Sequence, residues 1–351
     1  MVKRLAFAVP GDLDTPTGGY AYDRRMIAEL RKLGWDVDVI DLGSEFPRPS
    51  DTAREAAFTK LKAVPRGMPL VIDGLAFGTM ALEASGLALR RKLVALVHHP
   101  LALESGLPPE EAAAFQIMER TALSAAGRTV TTSHTTARIL MSRYGVPERQ
   151  LIVALPGNDK VPQARGTGGS GPLALLAVGA LVPRKGYDVL VAALATLADL
   201  PWRLTIAGDR TRDPATVQEL ESDIARAGLT ERITLAGAVP DERLDALYDS
   251  ADLFVLPSRY EGYGMAFAAA IARGLPVIGT DAGAIPEAVP AEAGILVPPD
   301  NAPALAAALY RLITDGRERG RLAAAARTAA AQLPTWADSA ALFSRALEKA
   351  R

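Results

Sequence analysis

Residues 251–287, ADLFVLPSRYEGYGMAFAAAIARGLPVIGTDAGAIPE, admit few folds. The run 253–256 is apolar without alternation, the pattern of a strand covered by helices on both faces, and Pro257 with Ser258 ends it. Arg259, Tyr260 and Glu261 then follow a strand's carboxyl end. Gly262 and Gly264 permit positive φ and a close approach of backbone to ligand. Residues 265–272 are alanine-rich and predict a helix, which Gly274 is placed to stop. The loop therefore directs N–H groups, at the positive end of a helix dipole, into the space beyond the sheet, which suits an anion. The second half repeats the device: 276–280 predict a strand, 281–284 a loop, and Pro286 suits the first turn of another helix. In that positive field Glu261 has two readings. It accepts paired hydrogen bonds from vicinal hydroxyls such as a sugar offers, or it caps the next helix.

The chain of 351 residues exceeds one ordinary core and suits two α/β domains. With 49% hydrophobic but only 5% aromatic residues it has the aliphatic material for buried sheets, and 30 Gly and 25 Pro fit many short loops. A formal net charge of −1 gives no electrostatic footprint for nucleic acid or an anionic membrane. The absence of cysteine excludes disulfides, thiolate metal sites and a cysteine nucleophile. Three histidines without metal-binding spacing argue against a zinc enzyme. The apolar run near Met1 is shorter than a signal core and reads as a first strand; no run approaches the ~20 apolar residues of a spanning helix, so a cytoplasmic location is expected.

From the start, 5–9 predict a buried strand and 11–22 a loop carrying Gly18 and Gly19 ahead of an amphipathic helix, 22–33. The spacing is not Gly-x-Gly-x-x-Gly, which disfavours a nicotinamide cofactor. Runs 36–40, 69–72 and 92–97 predict strands separated by helical segments at βαβ spacing, hence a parallel sheet. The last of these ends in His98-His99-Pro100, where open α/β sheets place ligands. His134 follows another short strand and is expected to cap a helix. Residues 151–155 close the first sheet, and 156–172, PGNDKVPQARGTGGSGP, read as a linker. The second domain opens with a strand at 173–178, after which Arg184 and Lys185, beside Gly186 and a helix start, suit a diphosphate. Strands at 204–207 and 232–235 end in Gly208-Asp209 and Gly237-Ala238-Val239. Residues 302–313, 316–333 and 335–350 predict helices, with Pro334 breaking the last two.

The stretch from Ser258 through Glu261, Gly262, Tyr263, Gly264 and Met265, followed by 274–287, closely resembles the donor-site signature of the retaining nucleotide-sugar glycosyltransferases of family 4. The similarity extends, more weakly, over most of the chain. The resemblance implies a GT-B fold, two Rossmann-like parallel-sheet domains facing a central cleft: an acceptor-side domain 1–155, linker 156–172, a donor-side domain 173–333, and a C-terminal helix 334–351 returning to the first domain. It implies that Lys185 bears on the donor diphosphate together with residues 262–265, and that Glu261 fixes the sugar's hydroxyls. The same resemblance implies that His98, with His99 as the other candidate, meets the donor sugar by side chain or carbonyl. It implies too that Gly18 and Gly19 lie against the diphosphate or near the acceptor, and that backbone near Gly208 and Ala238 reads the base of a UDP- or GDP-linked sugar.

Two departures stand out against that pattern. The family's second glutamate, eight positions after Glu261, is Ala269, and the usual phosphate arginine is Ala180, with Arg184 nearby as a candidate replacement. The expected activity is hexose transfer with retention of configuration, by front-face attack, without cofactor or metal. The acceptor stays open among lipid, saccharide and small heterocycle; loops 73–78 and 99–106 are its candidate pocket, and peripheral membrane contact and oligomeric state are not specified. Two rivals share the scaffold: a nucleotide-sugar epimerase, and a non-catalytic nucleotide-sugar-binding protein motivated by Ala180 and Ala269.

Overall fold

The computed structural model describes residues 3–89 and 91–350. The chain forms two compact units, Met1–Gly157 with Pro334–Arg351, and Asn158–Leu333. In the first, strands β1 (Lys3–Val9), β2 (Trp35–Asp41), β3 (Pro69–Asp73), β4 (Lys92–Val97), β5 (Arg128–Thr131) and β6 (Leu151–Val153) pair in the order β2-β1-β3-β4-β5-β6. In the second, β7 (Leu173–Val178), β8 (Trp202–Ala207), β9 (Ile233–Gly237), β10 (Leu253–Val255), β11 (Val277–Thr280) and β12 (Gly294–Val297) pair as β12-β11-β10-β7-β8-β9. Every pairing is parallel. Parallel strands need crossover helices, and the helices cover both faces, so the uninterrupted apolar runs of β1, β4 and β10 are buried.

Each sheet is doubly wound. The order reverses between β1 and β3 in the first unit and between β7 and β10 in the second, the points at which open α/β sheets generally leave a crevice beyond the carboxyl ends of their strands.

Several boundaries differ from expectation for local reasons. The first helix spans Gly18–Lys32, because the Thr17 side chain accepts from the Tyr20 backbone N–H and starts it early. Gly18 and Gly19 therefore open a helix rather than lying in a loop. Ser133, not His134, caps the helix His134–Tyr144, its hydroxyl accepting from the Thr136 N–H at 3.0 Å. The 156–172 segment runs along the second unit from residue 158 onwards: the Arg165 and Gly166 N–H groups donate to the Asp249 carbonyl, and the Thr167 N–H to Asp252 Oδ1.

The last helix, Trp336–Glu348, starts at a capping box of Thr335 and Asp338 and packs on the first unit. Trp35 Nε1 donates to Ser344 Oγ at 3.0 Å, and Trp336 lies 5.8 Å from Tyr22, ring centre to ring centre. Where the chain returns, Gly157 presses on the Trp336 backbone so closely that a Cβ would overlap it. Gly157→Ala should therefore destabilise the first unit by about 1–3 kcal/mol, since backbone on both sides has to move. Gly86, in the helix Ala81–Ala88, is the opposite case, because a methyl added there would meet its nearest neighbour, Phe58, only at 3.9 Å. Gly86→Ala should add about 0.5–1 kcal/mol, both changes being read from denaturant midpoints.

Candidate functional site

The switch point of the second sheet brings together two loops distant in sequence. Loop 179–186 leaves β7 and loop 256–264 leaves β10. Gly186 sits at φ +69°, and a side chain there would overlap the Pro257 carbonyl, so only glycine lets the loops close on each other. The Arg259 N–H donates to the Arg184 carbonyl at 2.8 Å and locks them. A Cβ on Gly179 would lie 2.8 Å from Lys185 Cε, so the glycine also makes room for the lysine stem.

Lys185, Arg184 and Ser258 converge on Glu261. Lys185 Nζ donates to Oε1 at 2.6 Å and Ser258 Oγ to the same oxygen at 2.7 Å. Arg184 Nη1 donates to Oε2 at 3.2 Å and to the Tyr260 carbonyl at 2.8 Å. The glutamate is 7% exposed. Burial alone would raise its pKa, but the charges of Lys185 and Arg184, with hydrogen bonds from Lys185 and Ser258, outweigh it and hold the carboxyl at about 2. The Ala284 N–H donates to the Glu261 carbonyl at 2.9 Å and fixes the backbone as well. Beyond it, Gly264 at φ +98° turns the chain into the helix Met265–Ala272, whose N-terminus has no side-chain cap among the described residues.

The other expected donor contacts have varied surroundings. Tyr263 is buried, and burial, with the charge of Glu287, pushes its hydroxyl up to about 12. Gly262 and Met265 are half-buried at the loop. Ala269 is half-buried on the helix, its carbonyl accepting from Arg273 Nη1 at 3.2 Å. Gly208 donates its N–H to the Gly237 carbonyl at 2.9 Å, and a side chain there would overlap the Gly179 carbonyl, so packing accounts for this glycine. Ala238 is exposed just past β9.

In the first unit, His98 follows β4 beside the switch between β1 and β3. Its Nε2 lies 3.2 Å from Asp23 Oδ1 and 3.3 Å from Asp73 Oδ2. Both aspartates are buried, while the His98 side chain keeps 19% of its surface. Asp73 ends β3 and accepts the Leu75 N–H at 2.8 Å through its other oxygen. Gly19 packs on the imidazole, a Cβ there falling 3.4 Å from its Cδ2. Burial disfavours the charged ring, yet Asp23 and Asp73 outweigh it and raise His98 to about 10. Burial likewise raises Asp23 to about 6 against the pull of His98. Asp23, Asp73 and His98 are the one group among the described residues whose three ligand atoms converge, within 4.8 Å, as a metal site requires; a proton shared at hydrogen-bond distance accounts for the convergence. His99 turns elsewhere, its Nε2 3.0 Å from Glu104 Oε2, and His134 is exposed.

Sequence reasoning gives Ser258 no role beyond ending a strand, and it passes over Asp23. A signal for Asp23 exists: Asp23, Met26, Ile27 and Leu30 fall at i, i+3, i+4 and i+7, so a carboxylate occupies the buried stripe of an amphipathic helix. For Asp73, the last residue of a buried strand, the sequence singles out only the loop beginning there.

Comparison with known proteins follows the same lines. A family model described as "Glycosyl transferases group 1" matches residues 172–315. The MMP alpha-(1->4)-mannosyltransferase of Mycolicibacterium hassiacum is 30% identical over 326 residues, covering 87% of this chain and 76% of that protein. Among solved structures, sucrose-phosphate synthase from Thermosynechococcus elongatus superposes with a TM-score of 0.83 at 21% identity, over 99% of both chains. HepE from Anabaena, in complex with UDP and glucose, gives 0.80 at 20% identity, again over 99% of both. No helix among the described residues is long and apolar enough to cross a membrane. With two six-stranded parallel sheets of the GT-B type and a relative of this similarity over most of both chains, the chain belongs to the group 1 glycosyltransferases, family 4, enzymes that transfer sugars from nucleotide sugars.

Proposed function

We propose that the chain is a retaining hexosyltransferase that takes its sugar from a UDP- or GDP-linked donor, holding the diphosphate with Lys185, Arg184 and the N-terminus of the helix Met265–Ala272. The observation that carries this reading is the convergence of both cations on Glu261 beyond the carboxyl ends of β7 and β10, where the strand order reverses. Breaking the anomeric bond sends charge onto the diphosphate. Prearranged cations and backbone N–H groups stabilise that charge without reorganising, and do the work a divalent ion does in other transferases.

Glu261 then has two duties. Three of its roughly four lone-pair directions are taken by Lys185, Ser258 and Arg184, which leaves about one for a sugar hydroxyl. Its first duty is to hold two cations in place, its second to orient the sugar. A carboxylate held this far below neutrality is a poor base, which supports a front-face reaction in which the departing phosphate oxygen takes the acceptor's proton. We assign His98, in the first unit, a hydrogen bond to the reacting sugar. Ala269 favours a second reading, a nucleotide-sugar-binding protein without turnover, because a methyl group offers no acceptor to a ribose.

Incubation with a panel of UDP-, GDP- and ADP-sugars should give time-dependent release of one nucleoside diphosphate. Thermal stabilisation without release would select the binding protein instead. Lys185→Ala should cost about 2–4 kcal/mol in transition-state stabilisation, seen in kcat/KM, and should also lower melting, because the buried Glu261 loses its closest cation and keeps only Arg184 and Ser258. Wild-type turnover in that variant removes the diphosphate role.

Glu261→Gln leaves two part-buried cations without their counter-charge and should lower stability by on the order of 3 kcal/mol at neutral pH. The depressed pKa sets the sign: the glutamate's contribution is complete above its unfolded value near 4.5 and disappears as pH falls through about 2. The stability gap between wild type and Glu261→Gln should accordingly close in acid. Ala269→Glu should tighten nucleoside diphosphate binding about ten- to a hundredfold by calorimetry, if residue 269 faces the ribose. An unchanged affinity in a stable variant places the nucleotide elsewhere.

A further inference from the structure

We infer that Asp23 and Asp73 are positioning residues that hold His98 as a doubly protonated imidazolium, its Nδ1–H presented as a fixed donor to a substrate oxygen, so that His98 acts in the transfer as a donor and not as a base. The inference rests on an arrangement independent of the diphosphate site, and only its substrate-facing half rests on the transferase reading.

One ring nitrogen lies between two buried carboxylates at 3.2 and 3.3 Å. Asp73 is not free to turn away, because its second oxygen is committed to the Leu75 N–H. Asp23 Oδ2 has no hydrogen-bond partner among the described residues, so the interaction with Nε2 is this carboxylate's main compensation for burial. A neutral imidazole would leave two buried carboxylates facing each other across one proton. A second proton on the ring supplies the missing charge, and at these separations opposite charges favour the ionised form strongly. The groups facing the ring are few. Asp23 and Tyr22 come from the helix Gly18–Lys32, and Arg24 on the same helix acts on Asp23 by its charge; Asp73 comes from β3. Tyr22 stays neutral, its pKa raised by burial and its hydroxyl donated to the Ala154 carbonyl at 3.0 Å.

With Nε2 occupied, Nδ1 is the ring's remaining polar atom, and no described residue hydrogen-bonds it. The ring cannot swing to bring Nε2 out: Gly19 lies against one side, Tyr22 meets it edge-on at 5.3 Å, and Thr132 Oγ1 holds the His98 carbonyl at 3.2 Å. The partly exposed imidazole lies beside the β1/β3 reversal, where ligands of open sheets approach. Its raised pKa, near 10, agrees in sign. The stabilisation from the protonated ring is complete below its unfolded value near 6.5 and is lost as pH rises through about 10.

The test uses the full-length chain labelled with ¹⁵N-histidine, which carries three histidines; His99→Gln and His134→Gln assign the His98 signals. At pH 8 both His98 nitrogens should be protonated, and Asp23→Asn and Asp73→Asn should each lower its titration midpoint by more than one pH unit. A wild-type His98 that titrates near 6.5, or a midpoint unmoved by Asp23→Asn, overturns the inference. So does Zn²⁺ or Mn²⁺ that removes the proton signal at stoichiometric concentration. On the donor that the sugar panel selects, Asp23→Asn should lower kcat at least tenfold with donor KM within threefold. Unchanged kcat beside a shifted midpoint overturns the positioning role while the ion pair stands. Wild-type protein without turnover on any donor sinks the transferase reading, and with it the donor role, but leaves the titration result as a separate answer.

Discussion

A carboxylate buried past the end of a parallel strand is tolerable only where cations come to it. Glu261 draws Lys185 and Arg184 from a loop 76 and 77 residues earlier in the chain, and much of the second unit's local geometry serves that meeting. Gly186 and Gly179 are small so that the two loops can touch and the lysine can fold back, and Ser258 fills the remaining direction on Oε1. The cluster is thus a prearranged positive site whose parts hold one another before any ligand arrives. In the transfer proposed above, such preorganisation would lower the barrier because it is complete before charge moves.

The first unit solves the converse problem. There a cation is wanted at a strand end, and two buried carboxylates supply the reason for its charge. Both devices sit where the strand order reverses, because only there do neighbouring loops diverge and leave space. In the proposed function, the doubly wound sheets matter mainly for fixing those two points.

Much of this is legible in the residues. Continuous apolar runs mark the parallel strands, because burial on both faces removes the need for alternation. The pairing of Lys185 and Arg184 with a glycine, and Glu261 between a strand end and Gly262, marks two loops at carboxyl strand ends, and the structure has them there. What cannot be read is partnership. That Lys185 and Glu261 touch, or that His98 meets Asp23 and Asp73, depends on strand order, and nothing local to either residue encodes it. Gly18 and Gly19 mislead for a different reason: the Thr17 hydroxyl can begin a helix through two glycines when it has an N–H to accept from, and propensity alone weighs against that. Gly208 shows the same limit from the other side, since its smallness serves strand-end packing that no sequence window contains.

The first unit is assembled from both ends of the chain, Met1–Gly157 and Pro334–Arg351, and the helix Trp336–Glu348 lies against the helix that carries Asp23, with Trp336 beside Tyr22 and the Arg25 guanidinium 5.2 Å over the Trp336 ring. During synthesis, the second unit emerges from the ribosome in one piece and has every residue it needs. The first does not have its last helix until residues 336–348 have emerged as well. The packing around the imidazole is therefore finished after the cluster on Glu261, although its own residues are made first, and the arrival of the helix Trp336–Glu348 is the step that closes the packing around Tyr22 and its neighbour.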